Sequence, residues 1–453
     1  MIELIPVALF ACVCVLLLIG FPVAFTLAGT ALAFASFGVI TGTFDPTLLN
    51  AIPSRLFGIM NNITLIAVPL FVLMGVLLEK SRIAEQLLNS MGQLFGRFPG
   101  GLSISVILVG TLLAASTGIV GATVITMGLI SLPIMLRHHY SPELACGTIC
   151  ATGTLGQVIP PSIALILLGD TLSNAYQKAQ LAQGVTNPNI MSVGDLFVGA
   201  IVPGLILVAC YIAYVVVRVT ISPSIAPPIV NHGAPVRLSE ILKSLCPPLL
   251  LILLVLGSIV AGIATPTEAA ALGSLGALIL YALRERISAS SLHEVAVNVL
   301  KINAMVFMIL IGATVFSLVF RGFHGDELIQ QYFTSVSDNK YTALFIIMLA
   351  LFVLGFILDF IEIIFIVVPI VAPILLGLGF DPVWLGVVIA VNLQTSFLTP
   401  PFGFALFYLR GVTPPEINTS VLYRGVLPFI LIQLCVLCLL VAFPNLVIGL
   451  RGT

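Results

Sequence analysis

Charge is scarce in this sequence. Asp, Glu, Lys and Arg make up only 8% of its 453 residues, and 60% are apolar. A water-soluble domain carries roughly a quarter charged residues, so an ordinary soluble fold is excluded. The net charge of −1 is silent about partners, and no basic cluster points to nucleic acid. Alternating apolar–polar segments of about ten residues are missing, which excludes a membrane β-barrel. No glycine-rich phosphate loop with its Lys occurs, so the chain has no such device for hydrolysing ATP. His293-Glu294 lacks the second histidine of a zinc-protease helix. His138, His139 and Glu143 flank a membrane segment beside Arg137 and read as interfacial, so no transition metal is expected. The first 20 residues lack the basic start of a signal peptide, and apolar sequence resumes at Phe21, so they read as a first span. Cys12, Cys14, Cys435 and Cys438 lie in apolar runs, where cysteine serves as a small apolar residue.

Long apolar runs are abundant. They recur from end to end at lengths near the ~20 residues that one crossing needs, which predicts an all-α, polytopic integral membrane protein. Spans are expected near 4–20, 23–40, 57–78, 143–170, 195–217, 249–263, 268–283, 302–320, 384–409 and 425–447, ten in all. Two further runs, 102–136 and 343–378, are too long for one crossing and too short for two. Arg97 lies on one side of the first run, and Arg137, His138 and His139 on the other. Matching flanks predict a re-entrant helical hairpin, whose non-helical tip must be surrounded by protein or a wet cavity. The small residues Ser116, Thr117 and Gly118 form the first tip, and Asp359 and Glu362 interrupt the second.

The two halves align without gaps at an offset of 240 residues. Pro133 meets Pro373, Pro142 meets Pro382, and Pro160-Pro161 meets Pro400-Pro401. One shared proline would be coincidence; three with their spacing intact indicate a repeat. The expected organisation is a first repeat at 1–220, a Pro-rich cytoplasmic linker at 221–248, and a second repeat at 249–453, each with five spans and one hairpin. An odd number of spans turns the second copy over, the inverted-repeat architecture of secondary transporters. Most basic residues, among them Lys80, Arg97, Arg137, Arg218 and Arg284, fall on one side, while Arg55, Lys178, Arg321, Lys340 and Arg451 fall on the other. The richer side is expected to be cytoplasmic, with both termini outside.

The chemistry is expected where helices break. Residues 152–161 carry Thr152, Gly153 and Thr154 ahead of Pro160-Pro161, and the second copy carries Asn392, Gln394, Thr395 and Thr399 ahead of Pro400-Pro401. Proline removes a donor and clashes with the preceding turn, so both stretches are expected to be unwound. Freed carbonyls, hydroxyls and amides suit a small hard cation such as sodium. The hairpin tips would complete each shell, and half-helix N-termini would face an anionic solute. Asp359 and Glu362 are acids within an apolar run, where an acid is costly and usually functional.

These residues resemble a known family. Ser116-Thr117-Gly118, Pro160-Pro161-Ser162, Thr265-Pro266-Thr267-Glu268 and Thr399-Pro400-Pro401-Phe402-Gly403 look like the DctM-like large permease subunit of the tripartite ATP-independent periplasmic (TRAP) transporters, in order along essentially the whole chain. The resemblance implies a transport protein rather than an enzyme, in a bacterial inner membrane. It implies sodium-coupled uptake of a small organic acid by an elevator mechanism. It further implies a soluble periplasmic substrate-binding protein and a small membrane subunit of about four helices, expected as a separate chain, with no cofactor beyond Na+. The alternative is a stand-alone sodium–carboxylate symporter of the divalent-anion type, whose hairpin tips usually read Ser-Asn-Thr; here they read Ser-Thr-Gly and Asp-Phe-Ile-Glu. A membrane-embedded enzyme would need a nucleophile–base pair or metal ligands at depth, and a channel leaves inverted hairpins unexplained.

Overall fold

A computed structural model of the protein describes residues 4–229, 238–336 and 339–449. Among the described residues the regular elements are all helices. A helix satisfies its own backbone donors and acceptors, which a bilayer requires of any segment crossing it. Among the described residues six helices are long and apolar enough to cross: Val23–Thr41, Val120–Arg137, Val193–Ile221, Pro266–Arg284, Ala289–Gly322 and Thr419–Ala442. Two bent pairs raise the number to eight if each counts as one span. Ile5–Ile19, Gly101–Thr117, Lys340–Leu354 and Pro382–Leu398 are shorter apolar helices. The expected 57–78 span is divided, with Pro46–Met60 and Thr64–Lys80 meeting at 58°. Part of the expected linker, 230–237, lies outside the described residues; Leu238–Val260 is already a helix and contains Pro247 and Pro248.

The chain forms two compact units, each drawing on both halves of the sequence. The first comprises Met1–Ile66, Leu167–Ser192 and Leu300–Leu385, and the second comprises Ala67–Ile166, Val193–Val299 and Gly386–Thr453. The first hairpin thus falls in the second unit and the second hairpin in the first.

In the second unit, Gly101–Thr117 and Val120–Arg137 join at Gly118 and both pack on Pro142–Thr154. That helix in turn packs on Thr419–Ala442 at very close range. A Cβ built on Gly147 would lie 2.1 Å from the Gly425 carbonyl oxygen, and one on Gly425 would lie 2.2 Å from that of Glu143. Small residues let membrane helices gain dispersion contact where the hydrophobic effect offers little. Val193–Ile221 runs along the same helix, with Tyr211 and Tyr214 both edge-on to Phe429. Pro266–Arg284 packs on Ala67–Lys80, where the Ser274 hydroxyl donates to the Leu70 carbonyl at 2.6 Å.

In the first unit, Lys340–Leu354 and Val368–Gly377 are the arms of the second hairpin, and Gly325–Val336 packs on the latter. Between the arms lies the short helix Phe360–Ile366, bent by 60° from its successor. Together Phe360–Ile366 and Val368–Gly377 cover the interval that Val120–Arg137 covers at the offset of 240, and Pro382 opens its helix as Pro142 does. Both Pro160-Pro161 and Pro400-Pro401 bonds are cis.

Candidate functional site

The first hairpin tip is set by Gly118, whose φ of +61° terminates Gly101–Thr117. A side chain there would be strained, and its Cβ would sit 2.9 Å from the Ile163 backbone nitrogen. Ser116 and Thr117 are buried; both hydroxyls donate to the Leu113 carbonyl, at 2.8 and 3.0 Å. Thr117 also shares a 2.8 Å hydrogen bond with Thr123 on the other arm. Donation inward leaves hydroxyl lone pairs for a further partner.

The helix breaks lie later in the sequence than expected. Thr152, Gly153 and Thr154 are the last turn of Pro142–Thr154, followed by a single 3-10 turn, Leu155–Gln157. Asn392, Gln394 and Thr395 are likewise helical, because Pro382–Leu398 continues to Leu398; Thr399 and Pro400 lie just past its end. The expectation that these stretches are unwound is therefore corrected: the break is confined to the prolines and the few residues around them. Proline disturbs only the turn preceding it, and one glycine costs a helix only about 1 kcal/mol. The hydroxyls also bond back along the helix: Thr152 to the Thr148 carbonyl at 2.7 Å, Thr395 to Val391 at 2.8 Å, and Thr399 to Thr395 at 2.7 Å. Past the first break, the Ser162 hydroxyl donates to the Gln157 carbonyl at 3.2 Å.

Two of the expected residues meet. The Gln394 amide donates to the Thr154 hydroxyl at 3.4 Å, across 240 residues of sequence. Two residues not singled out from sequence complete the cluster. The Gln433 amide donates to the Tyr211 hydroxyl at 2.7 Å and to Thr154 at 3.4 Å, and Gln394 also reaches Tyr211 at 3.4 Å. Thr154, Tyr211, Gln394 and Gln433 are all fully buried. The carbonyl oxygens of both glutamines have no hydrogen-bond partner among the described residues, an arrangement that costs free energy unless something else engages them. The available signal was a lone amide, Gln433, within an otherwise apolar run.

Asp359 and Glu362 are joined through the backbone at the start of one helix. Asp359 is the N-cap of Phe360–Ile366, and its carboxylate accepts from the Phe360 N–H at 2.7 Å. Glu362, three residues on, accepts from the Asp359 N–H at 3.1 Å. This is a reciprocal capping box, which the spacing Asp-x-x-Glu ahead of an apolar run encodes. The same device opens Pro266–Arg284 with Thr265 and Glu268. A further acid, Glu79, accepts from Thr126 on the first hairpin at 3.2 Å and was not singled out from sequence.

Two buried glutamines thus hold unpartnered carbonyl oxygens in the unit that carries both Pro-Pro breaks. The family model for the tripartite ATP-independent periplasmic transporter, DctM component, matches residues 10–446. The chain belongs to that family. It is a TRAP large permease, a transport protein rather than an enzyme, and works as one component of a tripartite assembly. The chain is 30% identical to the sialic acid TRAP transporter large permease protein SiaM of Vibrio cholerae over 95% of its length and 94% of that protein. It is 29% identical to the C4-dicarboxylate TRAP transporter large permease protein DctM of Pseudomonas aeruginosa, covering 90% of each. The isethionate TRAP transporter permease protein DctMQ of Oleidesulfovibrio alaskensis is 29% identical over 98% of this chain but only 66% of its own length. Among solved structures, the Alcanivorax borkumensis YdaH transporter superposes with a TM-score of 0.58 at 16% identity, covering 88% of this chain and 90% of that one. At that identity the likeness concerns the fold alone.

Proposed function

We propose that this TRAP permease is the large transmembrane subunit of a sodium-coupled secondary transporter that imports a small organic acid. A soluble periplasmic binding protein delivers the solute, a small membrane subunit of about four helices accompanies the permease, and transport runs by an elevator movement. The observation that carries this reading is the buried contact between Thr154 and Gln394, residues equivalent under the 240-residue offset. Beside them are two glutamine carbonyl oxygens without partners among the described residues, and hard oxygen donors of this kind suit sodium. Relatives named for C4-dicarboxylate and sialic acid transport support an organic acid as the solute. The hydroxyls of Ser116, Thr117 and Thr399 are further oxygen donors. The Val120–Arg137 and Ile163–Ala182 helices begin beside the first tip and the first break, where positive dipole ends favour an anion. The inverted topology and ten spans remain part of this proposal.

The test is uptake of radiolabelled organic acids into proteoliposomes holding the permease and small membrane subunit, with and without the binding protein, across sodium concentrations. Uptake should require both sodium and the binding protein, with a Hill slope for sodium above one. Full-rate uptake in sodium-free buffer would remove the coupling claim. Sodium-driven uptake without the binding protein would favour the stand-alone symporter.

A further inference from the structure

Arg55, Lys178 and Arg321 belong to the minor side of the charge distribution, and the coupling chemistry uses none of them. They come from distant parts of the chain and converge within the first unit. All three line a cavity of about 540 Å³, together with Asn62, Asp170 and Asn174. Two further cavities, of about 610 and 600 Å³, also have Arg321 in their walls; the former shares Arg55 and the latter Lys178. Arg321 is therefore common to all three.

The charges in this region are not balanced pairwise. Arg321 pairs with Asp326, Nε to Oδ2 at 2.9 Å. Asp170 accepts from the Asn62 amide at 3.0 Å. Among the described residues, no carboxylate lies within ion-pair distance of Arg55 or Lys178. Lys178 registers the imbalance: its ammonium falls from the usual 10.5 to about 8, mainly through burial and then through repulsion from Arg321, with Asp326 opposing and Arg55 adding to the effect. Neighbouring cations that repel one another, here exposed Lys178 beside half-buried Arg55 and Arg321, are destabilising unless an anion joins them.

We propose that this cavity binds the carboxylate of a small water-soluble organic acid, held by Arg55 and Lys178 and backed by Arg321. The Arg55 guanidinium offers the planar fork that matches a carboxylate. Asn62, Asn174, Thr314 and Ser317 supply neutral donors for the rest of a polar solute. Asp170 and Asp326 disfavour a densely charged phosphate more than a carboxylate, whose charge is smaller. Every residue lining it belongs to the first unit, whereas Thr154 and Gln394 belong to the second. The choice of an organic acid rests on the proposed function; the cation cluster does not.

The experiment uses the purified permease with its membrane partner in phosphatidylcholine nanodiscs and sodium-free buffer. Phenylglyoxal modification of Arg55 and Arg321 is followed by peptide mass spectrometry in the presence of succinate, its uncharged diamide, or sulfate. Succinate should slow modification of Arg55, and the diamide and sulfate should not. Lys178→Gln should weaken that protection by roughly tenfold, the equivalent of one lost charge-assisted contact. No protection by succinate, or equal protection by the diamide or by sulfate, would overturn the proposal. So would nanodiscs of phosphatidylglycerol that protect Arg55 fully with no added solute, which would assign the cavity to a lipid headgroup. Sodium-driven uptake on the same preparation separates failure of this site from failure of the proposed function.

Discussion

Thr154 and Gln394 touch, with the amide of one 3.4 Å from the hydroxyl of the other, and they are separated by the same 240 residues that align the prolines of the two halves. Residues equivalent in sequence thus converge in space, each six residues ahead of its own Pro-Pro pair. Thr154→Val removes a hydroxyl, and Gln394→Leu an amide, from one cluster. Each is expected to raise the sodium concentration for half-maximal uptake by about tenfold, close to 1.4 kcal/mol. Because they share partners, the double variant should cost less than the two effects combined. A purely additive result, read from sodium titrations of uptake, would show that the two residues act independently.

The second hairpin separates capping from charge. Asn is as good an N-cap as Asp, and Gln replaces Glu in a capping box. Asp359→Asn and Glu362→Gln should therefore leave thermal stability nearly unchanged, whereas Asp359→Ala should lower it by about 1 kcal/mol. Asp359→Asn is nevertheless expected to impair uptake strongly, and Glu362→Gln less so. Wild-type uptake by Asp359→Asn at limiting sodium would leave the acid with only its cap.

At the crossing of Gly147 and Gly425 there is no room for a methyl group. Gly147→Ala should force the Pro142–Thr154 and Thr419–Ala442 helices apart, at a cost of about 1–3 kcal/mol. The drop should appear as a lower unfolding midpoint in detergent. An unchanged midpoint would mean that the helices do not pack this closely.

Lys178 gives a dependence on pH. Its folded-state value, near 8, lies below the unfolded 10.5. Between those values the unfolded chain holds the extra proton, so this residue makes the fold more stable as pH rises through that window. Anion binding needs the charged ammonium and runs the other way. Succinate protection of Arg55 should weaken as pH rises above about 8, and Lys178→Arg should flatten the profile, because arginine stays protonated. Asp326 is itself pushed up by burial, with Arg321 and Lys178 opposing. A wild-type profile that stays flat to pH 10 would exclude Lys178 from the site.

Topology can be read with membrane-impermeant thiol reagents in a cysteine-free background. A single cysteine at Ser224 should be labelled only from the cytoplasm and one at Asn187 only from outside. Labelling of both from one face would eliminate the expected arrangement of spans.

The sequence determined what a linear code can carry. Its apolar runs required helices, because a bilayer leaves backbone groups no other partner. Its paired prolines at Pro160-Pro161 and Pro400-Pro401 located the helix breaks, because a missing N–H is a local property. The tip at Gly118 was legible for the same reason. Asp359-x-x-Glu362 was legible in principle as a cap, but an acid in an apolar run also reads as a binding group, and spacing does not separate the two. The extent of the breaks was decided by how far the backbone ladder runs, which keeps Thr152–Thr154 and Asn392–Thr395 helical up to a few residues from the prolines. Only the tertiary structure brought Tyr211 and Gln433 to the Thr154–Gln394 pair and gathered Arg55, Lys178 and Arg321 around one cavity. Such groupings depend on which helix faces meet, and nearly uniform apolar helices, with little contrast between their faces, leave that choice to close packing of small residues and a few buried polar contacts.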